Sequence, residues 1–325
     1  MNKIENFEKL PYEKLPNGNG EEVITSEKTF ENGVKGVWKD VDFDGPRDGS
    51  GNYQVLNFSP ESETTDKTVY FAGFTSRAGM YPESLAEFSK EADTHLTTLD
   101  RLSGLEIGPI RYPQEEHIPE TQLSKILAIQ QILDHEKLEE TDVIAHSEGS
   151  IHAVTSAFLF PDRFKNILLM NPAGIIPMSP IELALSGAQE GKVRAIENRT
   201  EKEDLSWSRV KELMRNALML YRSVNSISDV SEEGLMMEMI KEIRSRGVKV
   251  GVLYTDRDKL FPKDKLENAI TNNGEYEMED MFDHIQLETG DHGDMLKPHE
   301  MKEIVANAFN SLKETGGDDT QDITA

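Results

Sequence analysis

"DVIAHSEGSIHAV" (residues 142–154) runs from an apolar stretch, through a serine with small residues two positions to either side, straight into a second apolar pattern. "DVIA" reads as a buried strand, and "SIHAVTSAFLF" (150–160) carries its apolar residues at helical spacing. The joint between them, Ala145-His146-Ser147-Glu148-Gly149, has to convert a strand into a helix within a few residues. A nucleophile displayed on so tight a turn needs small neighbours, because the strained backbone leaves no room for branching at Cβ. Ala145 and Gly149 meet that need, with alanine where glycine is commoner. The string alone is permissive, and a plain turn serine is its other reading. A strand before it and a helix after it supply the context that nucleophilic chemistry requires.

Outward from this joint the chain alternates. "TVYFAGF" (68–74), "HLTTLDRL" (95–102) and "FKNILLMNPAG" (164–174) are strand-like, whereas "PESLAEFSKEAD" (82–93) and "ETQLSKILAIQQILDHEKL" (120–138) are helical. Strand and helix in alternation predict an α/β fold with a mostly parallel sheet covered on both faces. Ahead of it, "GVKGVWKDV" (33–41) and "YQVLNFS" (53–59) flank a turn-rich segment and predict an antiparallel hairpin. Residues 1–30 are polar and read as an extension, with at most a strand near "EEVIT". Residues 176–246 contain no convincing strand and three helical patterns, after which "VKVGVLYTD" (248–256), "PKDKLENAIT" (262–271), "FDHIQLE" (282–288) and "KPHEMKEIVANAFNSLKE" (297–314) restore the alternation. The expected organisation is a core of residues 31–175 and 247–313, interrupted by a helical insertion at 176–246. An acidic tail at 314–325 is expected to be disordered.

Composition narrows the partners. Sixty acidic against 35 basic side chains leave a net charge of −25, a field that repels phosphate backbones and anionic membrane surfaces. No nucleic acid is therefore expected as partner. The carboxylates are spread along the chain and read as a solvated surface. Cysteine is absent, which removes disulfides, thiolate nucleophiles and cysteine-ligated metals. No run approaches the roughly 18 apolar residues of a membrane span. The first 22 residues hold no apolar stretch of the roughly 7–15 residues a secretory leader needs, so a cytoplasmic location is expected.

A serine hydroxyl needs a base, and the base needs an orienting carboxylate. His292, in "TGDHGDMLKP" (289–298), stands in a short loop between a strand and the last helix, with small or polar neighbours. His135, His152 and His299 lie on helices and read as packing or surface residues. His146 adjoins Ser147, but neighbours across such a turn point in different directions. For the carboxylate, "VLYTDRDKLFP" (252–262) offers Asp256 and Asp258, and a capping turn is the other reading of both.

The order Ser, Asp, His on strand ends resembles the α/β-hydrolases of the capped serine type, over roughly residues 50–312. In that family the acid commonly stands four residues before a proline, as in Asp258-Lys-Leu-Phe-Pro262, which favours Asp258 with Asp256 in reserve. The family's Gly-His, followed by proline, is similar to Asp291-His292 and Pro298, with Asp in place of Gly. The resemblance implies an oxyanion hole of two backbone N–H groups, from Glu148 and from the loop after "VYFAGF". There the family often carries His-Gly-x-Pro, whereas this chain has Ala72-Gly73-Phe74-Thr75. Phe74 is the implied donor. Thr75 is the alternative and a candidate substrate contact, as are Ser76 and Arg77.

In the family a helical insertion at this place caps the active site, so residues 176–246 are implied to shape the substrate. Met178, Met214 and Met236 are candidate contacts for an apolar group, with packing inside the cap as their other reading. The implied activity is a carboxylesterase that forms an acyl-enzyme on small to medium apolar esters, lactones or thioesters. No metal or organic cofactor is implied, and a small-molecule ester or lactone is the expected partner. An acyltransferase and a hydrolase-like receptor with weak turnover are the alternatives.

Overall fold

Strand residues on this chain alternate between two apolar faces. Val69 and Phe71 face one way and Tyr70 the other; Val143 and Ala145 oppose Ile144; Ile167 and Leu169 oppose Leu168 and Met170; Val252 and Tyr254 oppose Leu253. A strand buried on both sides belongs in the middle of a sheet with helices above and below. The computed structural model describes residues 22–43, 51–73, 80–99, 120–183, 185–186, 227–228, 230–231 and 234–315, and in it these strands form that sheet.

The sheet order is β1-β2-β3-β5-β4-β6-β7-β8-β9. β1 (Glu22–Thr29), β2 (Lys35–Phe43) and β3 (Gly51–Ser59) are antiparallel, with Lys35 opposite Ser59 and Phe43 opposite Gly51 in the expected hairpin. β3 meets β5 (His95–Leu99) antiparallel. From β5 onward, β4 (Lys67–Phe71), β6 (Thr141–His146), β7 (Phe164–Met170), β8 (Lys249–Thr255) and β9 (His284–Glu288) are all parallel. Their C-terminal ends therefore lie along one edge. β1 is longer than the "EEVIT" expectation, and every residue of it is exposed at the rim of the sheet.

One face is covered by α2 (Glu120–His135), α3 (Gly149–Leu159), α4 (Leu235–Ser245) and α5 (Lys263–Ile270), through Ile129, Leu133, Val154, Ile240 and Leu266. The other is covered by α1 (Pro82–Glu91) and the last helix. That helix runs from Pro298 through a π-helical turn at Met301–Val305 into α6 (Ala306–Glu314), and Phe88 meets Phe309 edge to face at 5.4 Å. Each fully buried aliphatic or aromatic side chain contributes about 1.5–3 kcal/mol. α4 comes from the block read as inserted, yet its buried Met236, Met239, Ile240 and Ile243 share one core with Ile151 and Val154 of α3. Its apolar stripe is thus spent on the sheet-covering layer. Within β6, burial pushes the Asp142 carboxyl up, against the bond from Asn166 (2.7 Å) and the charge of Lys313. No helix among the described residues is long and apolar enough to cross a membrane.

Candidate active site

β6 ends at His146, α3 begins at Gly149, and Ser147 at the joint has φ +55°. A left-handed serine costs about 1–3 kcal/mol and persists only where its surroundings hold it. The Ser147 N–H donates to Met170 O on β7 (3.0 Å), and its carbonyl accepts from the N–H groups of Ser150 (3.0 Å) and Ala173 (3.1 Å). Gly149 is compulsory, since a Cβ there would stand 2.2 Å from Phe71 O and 2.9 Å from Ala72 O. Ala145 carries no such constraint; its methyl group is buried in the core. The end of β4 passes beside the serine, because a Cβ on Gly73 would lie 3.0 Å from Ser147 Cβ. Phe74 and Thr75, like Ser76, Arg77 and Met214, fall outside the described residues.

His292 and Asp258 are brought together. The imidazole Nδ1 lies 2.7 Å from Asp258 Oδ2, with both residues about 3–4% exposed. A carboxylate only accepts, so Nδ1 bears a proton toward it, and the neutral imidazole held this way has its lone pair on Nε2. Asp258 Oδ1 accepts from the backbone N–H groups of Leu260 (2.8 Å) and Phe261 (2.9 Å), which fixes the carboxylate, and the Phe261 ring packs 5.4 Å from the imidazole. Asp256 does something else. Its N–H donates to Glu288 O, its Oδ1 accepts from Gly290 N–H (3.1 Å), and Arg257 N–H donates to Gly290 O. It fastens the turn after β8 to the loop that carries His292.

That loop is also tied to the serine turn. His146 Nε2 donates to His292 O (3.0 Å), and the two imidazole rings stand 4.8 Å apart. The side chain preceding Ser147 is thus engaged as a donor to the histidine loop. Glu148 is buried as well, its Oε1 3.9 Å from His152 Nε2 one helical turn on. The oxyanion role expected of Glu148 uses only its backbone N–H, and the pairing of its side chain with His152 follows from their spacing of four on a helix. Asn171, directly after a buried strand, is of a residue type that tolerates the left-handed backbone it adopts, and the sequence reading assigns it no role.

Met178 and Met236 are both closed inside the core, and a Cβ on Gly174 would be 3.7 Å from Met236 Sδ. Both side chains pack within the same core as α3 and the sheet. Among the described residues, Glu22, His135 and Glu136 form a group with metal-like spacing. The Lys39 ammonium already lies 3.3 Å from Glu22 and 3.4 Å from Glu136, so the group is an ion-pair cluster.

No protein-family description matches the sequence, and no curated protein is significantly similar to it. Solved structures do match. A hydrolase of 2-hydroxy-6-oxo-6-phenylhexa-2,4-dienoate from Rhodococcus sp. strain RHA1 superposes over 85% of this chain and 99% of its own, at 18% identity and a TM-score of 0.51. A bacterial membrane phospholipase A covers 85% of each chain at 13% identity and a TM-score of 0.51. A thioesterase domain from the curacin biosynthetic pathway covers 88% of this chain and 100% of its own, at 13% identity and a TM-score of 0.50. At such identities the likeness is one of fold.

Proposed function

We propose that this chain, which has the α/β-hydrolase fold, is a serine hydrolase that cleaves carboxylic esters, lactones or thioesters through an acyl-enzyme. One observation carries the reading. A left-handed Ser147 and a buried Asp258–His292 pair bonded at 2.7 Å stand on the same sheet edge, with the His292 carbonyl bonded to the residue before the serine.

In this reading Ser147 Oγ attacks the substrate carbonyl and passes its proton to His292 Nε2, which returns it to the leaving alcohol, thiol or ring oxygen. Asp258 holds the tautomer with the proton on Nδ1 and stabilises the imidazolium that forms. Water then releases the acid by the same route. The N–H of Glu148, at the start of α3, and that of Phe74 receive the oxyanion, each donor contributing about 3 kcal/mol. The insertion at 176–246, much of which lies outside the described residues, is assigned the role of a cap over the site by the family resemblance. Ile181 and Leu185, four residues apart and both well exposed, give that block an apolar face suited to small or medium acyl and aryl groups.

The test is turnover of p-nitrophenyl esters of increasing acyl length, with Ser147→Ala as control. The wild type is expected to show a burst of one product per chain followed by steady turnover, and the variant a kcat lower by about 10⁴-fold or more. Wild-type protein inert toward every ester, lactone and thioester contradicts the reading.

A further inference from the structure

Neighbouring parallel strands β6, β7, β8 and β9 end along one edge of the sheet and lead in turn to Ser147, Asn171, Asp258 and His292. Asn171, after the strand that separates nucleophile from acid, has no part in the proposed chemistry, yet it is fully buried and has φ +43°. From the contacts of its side chain we infer that Asn171 is a positioning residue that clamps the backbone of His292. The inference rests on His292 being the base of the proposed reaction.

Both ends of the carboxamide are occupied. Oδ1 accepts from Thr255 N–H (2.9 Å) and Thr255 Oγ1 (3.2 Å) at the end of β8. The side chain thus serves β8 beyond the last ladder pair, Met170 opposite Leu253, as a further strand residue would. Nδ2 donates to His292 O (2.9 Å), which also receives His146 Nε2 (3.0 Å). The two donors, from the ends of β6 and β7, fill both lone pairs of that carbonyl. His292 is therefore held at its main chain by two side chains and at its ring by Asp258, which fixes the direction of Nε2. Asparagine meets both demands of the position: it tolerates a left-handed backbone better than other non-glycine residues, and it offers a donor and an acceptor on one short side chain.

Two variants separate positioning from mere packing. Asn171→Asp keeps the left-handed tolerance and the acceptor for Thr255, but sets a carboxylate oxygen against the His292 carbonyl. Asn171→Gly relaxes the backbone and removes both arms; if it does not fold, Asn171→Asp carries the test. The first readout is the far-downfield His292 Nδ1 proton in ¹⁵N-histidine-labelled protein, assigned by its absence in His292→Ala. The second is the rate at which a fluorophosphonate labels Ser147. The clamp predicts a sharp Nδ1 resonance in the wild type that broadens or vanishes in Asn171→Asp, with labelling slowed by about 10- to 100-fold, the effect of a misplaced catalytic group.

An unchanged Nδ1 proton in Asn171→Asp, with labelling within about twofold of wild type, overturns the clamp and leaves the hydrolase reading standing. Wild-type protein that shows the Nδ1 proton but is never labelled contradicts the hydrolase reading, and the Nδ1 proton of Asn171→Asp then decides the clamp alone. Absence of that proton from the wild type overturns both.

Discussion

Asp256 and Asp258 stand two residues apart on the turn after β8, and composition or periodicity gives no means of choosing between them. Their side chains are sorted by what they reach: Asp258 meets His292 Nδ1, whereas Asp256 takes the N–H of Gly290. The acid that orients the imidazole should matter to the chemical step far more than the one that fastens a loop. Asp258→Asn is expected to lower kcat by about 10⁴-fold, because the asparagine favours the wrong imidazole tautomer. Asp256→Asn keeps a carbonyl oxygen for the Gly290 N–H, costs at most that one hydrogen bond, worth about 0.5–1.5 kcal/mol, and should leave kcat within about tenfold. Steady-state kinetics of the two variants on one ester at pH 7 checks the order, and a larger loss in Asp256→Asn contradicts it. At this scale the proline spacing that favoured Asp258 was visible in sequence, and the Gly290 contact of Asp256 was not.

At the scale of elements, the strand-turn-helix joint was legible because its parts are local. The apolar run of β6, the helical spacing of α3 and the small residues between them all lie within about twenty positions. What the sequence did not say is which small residue is indispensable. Gly149 faces the main chain of β4, which cannot move aside like a flexible side chain, whereas Ala145 sits in the core with its methyl group packed. Gly149→Ala should therefore destabilise the fold by about 1–3 kcal/mol or more in urea unfolding, while Ala145→Gly costs about 1 kcal/mol. Equal effects at the two positions would show that the close approach to Phe71 O is not limiting. β1 escaped full notice for the opposite reason. Both its faces are in water, so no apolar alternation marks it. α4 was legible as a helix, but its allegiance to α3 depends on a contact between segments about 85 residues apart in sequence.

For the whole molecule, the order Ser, Asp, His and the alternation of strands and helices implied one sheet with its strand ends on a common edge, and the topology has that form. The parts of the site that escaped sequence reading are those made by register between distant strands. The His146 and Asn171 bonds to the His292 carbonyl span 146 and 121 residues, and no local pattern encodes them. On this edge Ser147 is proposed to act as a nucleophile. The most direct measurement is peptide mapping by mass spectrometry after reaction with a fluorophosphonate, in wild type and in His292→Ala. One label per chain is expected, on Ser147, and it should be lost when His292 is removed. A label on another serine, or labelling of Ser147 that persists without His292, contradicts the proposal.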